Sequence, residues 1–184
     1  MKILFLFICA AGLVVGSGLP RDPYITPIRT PNGGIQPQAI MDGAGTLHLL
    51  YYTGDPMRGD LFYVKSRDLG ATWSLPLRVN SEAGTAIATG TIRGAQLAIG
   101  RNGRVHAAWN GSSNVEPIGP LNPESGKRGA PMLYSRLNNG HTAFEPERSL
   151  MSRTFGLDGG GAVAADSSGN VYVAWHGKAP GAIA

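Results

Sequence analysis

The sequence predicts an all-β fold of short antiparallel strands joined by tight turns. Turn-forming residues are abundant, with 27 glycines and 13 prolines among 184 residues, and β-branched and aromatic residues that favour strands lie between them. A strand–turn–strand pattern occurs three times along the chain. No long window carries the apolar period of a helix. These observations indicate several small sheets of one design.

The first 18 residues have the pattern of a secretory signal peptide. Lys2 precedes an apolar run from Ile3 to Val15, and the small residues 16–18 supply a cleavage site. This run is shorter than the roughly 20 residues that a membrane-spanning helix needs. The sequence therefore predicts a secreted or periplasmic protein without a stable membrane span after cleavage, and an uncleaved N-terminal membrane anchor is the alternative.

Cys9, the single cysteine, lies in the apolar run of the predicted signal peptide. Cleavage would remove it, so neither disulfides nor thiol catalysis is expected in the mature chain.

Residues 19–37 are expected to form an extended segment that leads into the first strand. Prolines recur through this segment, at Pro20, Pro23, Pro27 and Pro31. Because proline lacks an amide proton and restricts the residue before it, a helix is not expected here.

Three repeated segments define the predicted strands. Each has an apolar strand, a polar turn that ends in glycine (Gly45, Gly103 or Gly169), and a second strand that ends in an aromatic residue. Aligning the glycines brings two further sets of residues into register, namely His48, His106 and Tyr172, and Tyr51, Trp109 and Trp175. We interpret the recurring histidines as packing residues of the repeat, and no His, Asp or Glu spacing predicts a metal site.

A turn motif, S-x-D-x-G-x-T-W, occupies residues 66–73. The side-chain oxygens of Ser66 and Asp68 suit the turn amides, and Gly70 can adopt a positive φ without steric cost. Thr72 and Trp73 return to extended chain, and the indole can pack beneath the turn. The motif therefore predicts a tight hairpin between two strands.

A degenerate copy of this motif is expected at residues 135–144. In this alignment Ser135 corresponds to Ser66, and asparagine and phenylalanine replace the aspartate and tryptophan. One extra residue is expected before Gly140 and another before Phe144.

Together these features predict a four-stranded antiparallel unit of the kind that forms one blade of a β-propeller. The first unit covers about residues 35–80, the second about 92–151, and the third, at 157–184, contains two strands. Propellers typically have four to eight blades. The sequence therefore predicts about two and a half blades of a larger propeller, within an N-terminal fragment of a longer chain.

The motif at residues 66–73 resembles the Asp-box, or BNR repeat, of the sialidase (neuraminidase) superfamily. The resemblance implies that residues 38–184 form part of a sialidase-like propeller, expected to be six-bladed. It implies an exported, glycan-directed protein and a possible glycoside hydrolase of the exo-α-sialidase type, inactive as a fragment. The alternative is a non-catalytic Asp-box propeller that binds carbohydrate or protein. The expected partners are a carbohydrate or glycoconjugate and the remaining blades, and no cofactor is implied.

The pocket of such a propeller is expected where the innermost strands begin. The substrate-binding candidates at these strand ends are Gln36, Gln38, Arg93, Gln96 and Asp158. Amide, guanidinium and carboxylate groups together favour a polar binding site. Alternatively, Arg93 and Asp158 are solvated or pair with each other.

The resemblance also implies catalytic candidates. Sialidases hold the sugar carboxylate with arginines, the first of them in an Arg-Ile-Pro motif, because a guanidinium matches carboxylate geometry. Arg93 fits the register of that arginine, although Gly94-Ala95 follows it. Asp55 and Asp60 are candidates for the acid in a loop after the second strand, and Glu116 and Glu124 occupy the equivalent loop of the second unit. Each carboxylate is alternatively a solvated loop residue.

The formal net charge of +4 weakly favours an acidic partner. Basic residues do not form a run longer than Lys127-Arg128, so a nucleic-acid partner is not predicted.

Overall fold

A computed structural model describes residues 25–90 and 94–179. The predicted signal peptide, Arg93 and the residues from Pro180 onwards lie outside the described residues. The described parts contain ten β-strands and two 3-10 turns, and every strand pair is antiparallel. The predicted all-β fold with four-stranded antiparallel sheets is therefore confirmed. None of the helical segments within these ranges has the length and apolar character of a membrane-spanning helix.

The strands form two four-stranded meanders and one hairpin. The first sheet contains β1 (Ile35–Met41), β2 (Leu47–Asp55), β3 (Arg58–Ser66) and β4 (Leu77–Arg78) in that order. The second sheet contains β5 (Gln96–Ile99), β6 (Val105–Asn110), β7 (Met132–Arg136) and β8 (Arg148–Ser149). The hairpin pairs β9 (Phe155–Ala165) with β10 (Val171–Lys178). The 3-10 turns lie at Pro31–Gly33 and Arg101–Gly103.

The first two strands of each unit follow the predicted repeat. Gly45, Gly103 and Gly169 all close their turns with positive φ, at 79°, 67° and 97°. Such values favour glycine because a Cβ would clash there. His48 lies opposite Lys65 across the strand pair, and His106 lies opposite Arg136. The two sheets are thus equivalent through their third strands as well.

The predicted alignment of the second turn motif is wrong at its start. A backbone hydrogen bond from Ser74 to Lys65 closes the first hairpin, and the equivalent bond from Glu145 to Arg136 closes the second over the same number of residues. The predicted extra residue before Phe144 is present, because Thr142 and Glu145 are three positions apart where Thr72 and Ser74 are two apart. The one predicted before Gly140 is not, since Asn138 follows Arg136 by two positions where Asp68 follows Lys65 by three. Ser135 lies inside β7, where its hydroxyl donates to the carbonyl of Glu145 at 2.5 Å. The repeated Ser-Arg pair misled the sequence alignment.

The first turn motif has the hydrogen bonds that its residues predict. The hydroxyl of Ser66 accepts the amide of Gly70 at 2.8 Å and donates to Asp68 at 2.7 Å. Asp68 in turn accepts both the amide of Thr72, at 2.9 Å, and its hydroxyl, at 2.6 Å. Trp73 packs against the buried residues of the first sheet. In the second copy the side chain of Asn138 accepts the amide of Thr142 at 3.0 Å, so the central contact of the motif is retained.

The turn motif should make stability depend on pH. Hydrogen bonds from Thr72 and then Ser66 lower the pKa of Asp68 to about 2 from an ordinary value of 3.8. A depressed pKa means that the carboxylate stabilises the folded chain above about pH 4, and that this contribution disappears as the pH falls towards 2. We expect Asp68→Asn to lower the melting temperature at pH 7 and to match the parent near pH 2. Thermal melts across this range measure the difference, and the control Arg67→Ala should show no such convergence.

Apolar side chains fill the spaces between successive units. The main core lies between the two sheets and contains Leu50, Tyr52, Leu61, Val79, Leu97, Val105, Trp109 and Leu133. A smaller core joins the second sheet to the hairpin and contains Ala108, Met132 and Met151 with Val163, Val173 and Trp175. Because successive strand residues point to opposite faces, β6 contributes Trp109 to one core and Ala108 to the other. The units therefore pack face to face in sequence order.

The segment 85–88, between β4 and β5, bonds to both sheets. Ala86 exchanges two backbone hydrogen bonds with Gly59 of the first sheet, at 2.8 and 3.1 Å. On the other side, the amide of Ser112 donates to the carbonyl of Thr85 at 2.8 Å, just beyond the second strand of the second sheet. The carboxylate of Glu147 accepts the backbone amides of residues 81 and 82 at 2.6 and 3.2 Å. The segment that follows β4 is thus fixed by hydrogen bonds to the second sheet and to Glu147.

Candidate functional site

The candidate site lies at the end of the molecule where β1, β5 and β9 begin. β5 contacts both β1 and β9, so these strand ends are neighbours. Gln38 and Gln96 occupy the same repeat position on β1 and β5, and the Gln38 Nε2 donates to the Gln96 Oε1 at 3.1 Å. The amide of Leu97 donates to the Gln38 Oε1. The predicted glutamines are therefore brought together, and Gln38 also connects the two sheets.

Gln36 has an unusual backbone conformation at the edge of this cluster. Its φ is 48°, in the left-handed region that residues with a Cβ seldom adopt. The register of β1 against β2 shifts between Ile35 and Gln38, so Gln36 lies in a β-bulge. Its Nε2 donates weakly to the carbonyl of Ala88 at 3.4 Å. Bulges re-aim side chains, and this one places a carboxamide beside Gly94 of the next unit.

Asp158 presents its carboxylate to solvent at the beginning of β9. It pairs across the hairpin with His176 on β10, and 3.7 Å separates the Asp158 Oδ2 from the His176 Nδ1. Both side chains are 81% exposed. Asp158 therefore keeps most of its hydrogen-bonding capacity for a ligand.

The sequence reasoning missed Asn110, which lies at the end of β6. It is 2% exposed, and its Nδ2 donates to the carbonyl of Gly159 at 2.6 Å. Its Oδ1 is buried without a hydrogen-bond partner among the described residues. Extending the repeat alignment by one residue beyond the aromatic position would have found it, since that position holds Tyr52, Asn110 and His176. All three carry polar groups at the same end of their units.

The predicted loop positions of Asp55 and Asp60 are wrong. Asp55 ends β2 and Asp60 lies within β3, because only two residues, Pro56 and Met57, connect these strands. The Asp55 Oδ1 accepts the amide of Met57 at 2.8 Å. The Asp60 Oδ1 accepts the amide of Gly84 at 2.9 Å and an amide proton of a neighbouring asparagine at 2.8 Å. Both carboxylates therefore hold local backbone or side-chain structure.

Tyr52 packs beneath these two carboxylates. Burial, followed by the charges of Asp55 and Asp60, raises its pKa to about 12. Its hydroxyl donates to backbone carbonyls, one of them that of Ala86 at 3.2 Å. Tyr52 is thus a protonated, hydrogen-bonded core residue at neutral pH.

Two further candidate carboxylates lie in the long connection between β6 and β7. The Glu116 Oε2 accepts the amide of Ile118 at 2.9 Å and so stabilises its own turn. The Glu124 Oε2 pairs with the Lys178 Nζ of β10 at 3.1 Å. This exposed ion pair brings the loop to the hairpin at the same end of the molecule as Asp158.

Arg93, the predicted guanidinium of the site, lies outside the described residues. Within the described ranges no group of three or more His, Cys, Asp or Glu side chains has the proximity that a metal ion requires. Among the described residues, the site therefore consists of carboxamide side chains and the exposed carboxylate of Asp158. No protein-family model matches the chain, and no curated protein matches it significantly.

Proposed function

We propose that this chain is part of a sialidase-like Asp-box β-propeller, and that the propeller is an exported glycan-binding protein. Support for the propeller comes from the equivalent sheets, which pack face to face with their first strands adjacent. The hairpin of β9 and β10 packs against the second sheet in the same manner. The Asp-box bonds around Asp68 support the type of blade.

The carboxamide cluster is the observation that carries glycan binding. Gln36, Gln38 and Gln96 are half-buried at one end of the units, beside the exposed carboxylate of Asp158. Asn110 is buried at the same end, where it bonds to the carbonyl of Gly159. A carboxamide both donates and accepts hydrogen bonds, and a carboxylate accepts them. Sugar hydroxyls also donate and accept hydrogen bonds, so they can pair with both kinds of group. The Asp158 carboxylate is the group most available to a ligand, because Asp55 and Asp60 already hold protein amides.

Glycoside hydrolysis of the sialidase type is the second candidate function. Asp158 favours it, because a general acid must come within hydrogen-bond reach of the leaving group, and this carboxylate is exposed at a strand end of the site. The arginine in this proposal is Arg93, whose sequence register fits a carboxylate-binding position.

Glycan binding by the full-length protein tests the proposal. We expect retention on an array of sialylated and neutral glycans, and Asp158→Asn should weaken binding about tenfold because a charge-assisted hydrogen bond is lost. Asp166→Asn is the matched control, since Asp166 bonds to Asn170 in the β9–β10 turn. Equal affinity of the two variants, or no glycan retained, would contradict the proposal. A fluorogenic sialoside separates the two functions: turnover that is lost in Asp158→Asn supports hydrolysis, and binding without turnover supports binding alone.

A further inference from the structure

The first sheet contains a buried histidine that is held by a carboxylate. His48 is 5% exposed, and its Nε2 lies 3.1 Å from the Asp42 Oδ2. This hydrogen bond is the main cause of the lowered pKa of Asp42, so the carboxylate is ionised and accepts. The His48 Nε2 therefore donates. The hydroxyl of Tyr63 lies 2.7 Å from the His48 Nδ1 and donates to it in the neutral ring.

The second sheet repeats the histidine without the carboxylate. His106 is also 5% exposed, and its Nδ1 lies 2.7 Å from the hydroxyl of Tyr134. Gly100 occupies the position that Asp42 has in the first sheet. The amide of Gly100 donates to the carbonyl of Arg104, and the amide of Asp42 donates to the carbonyl of Thr46 in the same way. No hydrogen bond to the His106 Nε2 is formed by the described residues. The ring nitrogen that corresponds to the His48 Nε2 is thus left without a hydrogen-bond partner among the described residues.

Packing explains why no side chain supplies that acceptor. A Cβ at Gly100 would lie 2.8 Å from the His106 Nε2 and 3.0 Å from the Cβ of Ala165 at the end of β9. Both distances are shorter than ordinary van der Waals contact. A side chain at residue 100 would therefore clash with the ring and the hairpin, and no described residue bonds to the His106 Nε2 in its place.

The His106 ring lines a cavity of about 280 Å³ with a strongly basic wall. Arg101, Arg104 and Arg136 line it together with the β9–β10 turn. Arg136 pairs with Glu145 at 2.9 Å, which leaves the guanidinium groups of Arg101 and Arg104 without an ion pair among the described residues. Burial, then the charges of Arg104 and Arg136, lowers the pKa of His106 to about 4. The ring is neutral at pH 7, so its Nε2 contributes a hydrogen bond rather than a charge.

We propose that this cavity binds the carboxylate of a small solute, held by the His106 Nε2–H and the guanidinium groups of Arg101 and Arg104. The ligand performs the role that Asp42 performs in the first sheet. Guanidinium groups suit a carboxylate because their donors match its two oxygens. The cavity lies beside the turns that end β5 and β9, at the opposite end of the units from the carboxamide cluster. It is therefore separate from the proposed glycan site.

An NMR titration of the full chain with acetate tests this site, with chloride used to hold the ionic strength constant. We expect a saturable shift of the His106 ring nitrogens, and no shift of the His48 ring, whose Nε2 already has a carboxylate. The double variant Arg101→Gln/Arg104→Gln should weaken acetate binding at least about tenfold, because two charged donors are lost. Arg67→Gln, which removes an exposed arginine elsewhere, should bind like the parent. An unchanged His48 spectrum verifies that each variant is folded.

Three outcomes would overturn the proposal. The first is a His106 shift that does not saturate or that the His48 ring shares, because either means a general effect of salt. The second is equal acetate binding by the parent and the double arginine variant. The third is saturation by sulfate or phosphate at lower concentration than acetate, which would show a tetrahedral anion site instead.

Discussion

Truncation of Trp109 to alanine is expected to lower the free energy of unfolding by about 3–5 kcal/mol. The indole is 1% exposed and lies in the core between the two sheets. Removing it leaves a cavity whose walls belong to separate sheets, and a β-sheet has little freedom to collapse into it. Urea or guanidinium denaturation of the parent and the variant measures the loss.

Two variants sharpen this expectation. Trp109→Phe should cost much less than alanine, because it keeps an aromatic ring and removes an indole N–H that is buried without a partner among the described residues. Trp175→Ala tests the same repeat position in β10, where the side chain is only half-buried and bonds to Thr154. An equal loss in Trp109→Phe and Trp109→Ala would mean that packing around the ring is not the source of the stability.

Gly59→Ala should destabilise the chain at or above the upper end of the about 1–3 kcal/mol typical of overpacking. A Cβ at Gly59 would lie 2.2 Å from the hydroxyl oxygen of Tyr52 and 2.4 Å from the carbonyl oxygen of Thr53. Both are anchored, the first by hydrogen bonds to backbone carbonyls and the second in the ladder of β2. Relief of the clash therefore requires movement of the backbone.

Gly43→Ala is the matched control for this substitution. A Cβ at Gly43 has no atom within 4 Å among the described residues, and its φ is not positive. The melting temperature of this variant should stay close to that of the parent. A similar loss in both variants would indicate that lost chain flexibility, and not the clash with Tyr52, governs the effect.

Much of the fold was predictable because its determinants are local and recur. Each turn glycine stands at a fixed distance before an aromatic residue, and the hydrogen bonds around Asp68 join residues within four positions of each other. The placement of His48 and His106 at equivalent packing positions also follows from this spacing. Short-range patterns of this kind can be recognised without knowledge of the tertiary structure.

Most of what the sequence could not show has long-range causes. The contacts of Asp60 could not be predicted, because the sequence gives no sign that Asn80 and Gly84 fold back onto it. The role of Glu147 depends on a segment 62–66 residues earlier in the chain. The need for glycine at residue 100 was also not predictable, because the side chain that would clash there, Ala165, belongs to a different unit. Contacts between units, and the cavities that they leave, could not be derived from the repeat alone.

The return segment at residues 85–88 has a consequence for how the chain gains its structure. Its backbone bonds to the first sheet on one side and to the second on the other, so unfolding of the segment exposes amides of both sheets. The stability of a repeat protein is the sum of contributions from single units and from the interfaces between neighbours. Here the strand-like segment 85–88 is part of such an interface. Hydrogen exchange should therefore report the amides of Gly59, Ala86 and Ser112 opening together, as one cooperative unit that spans two sheets.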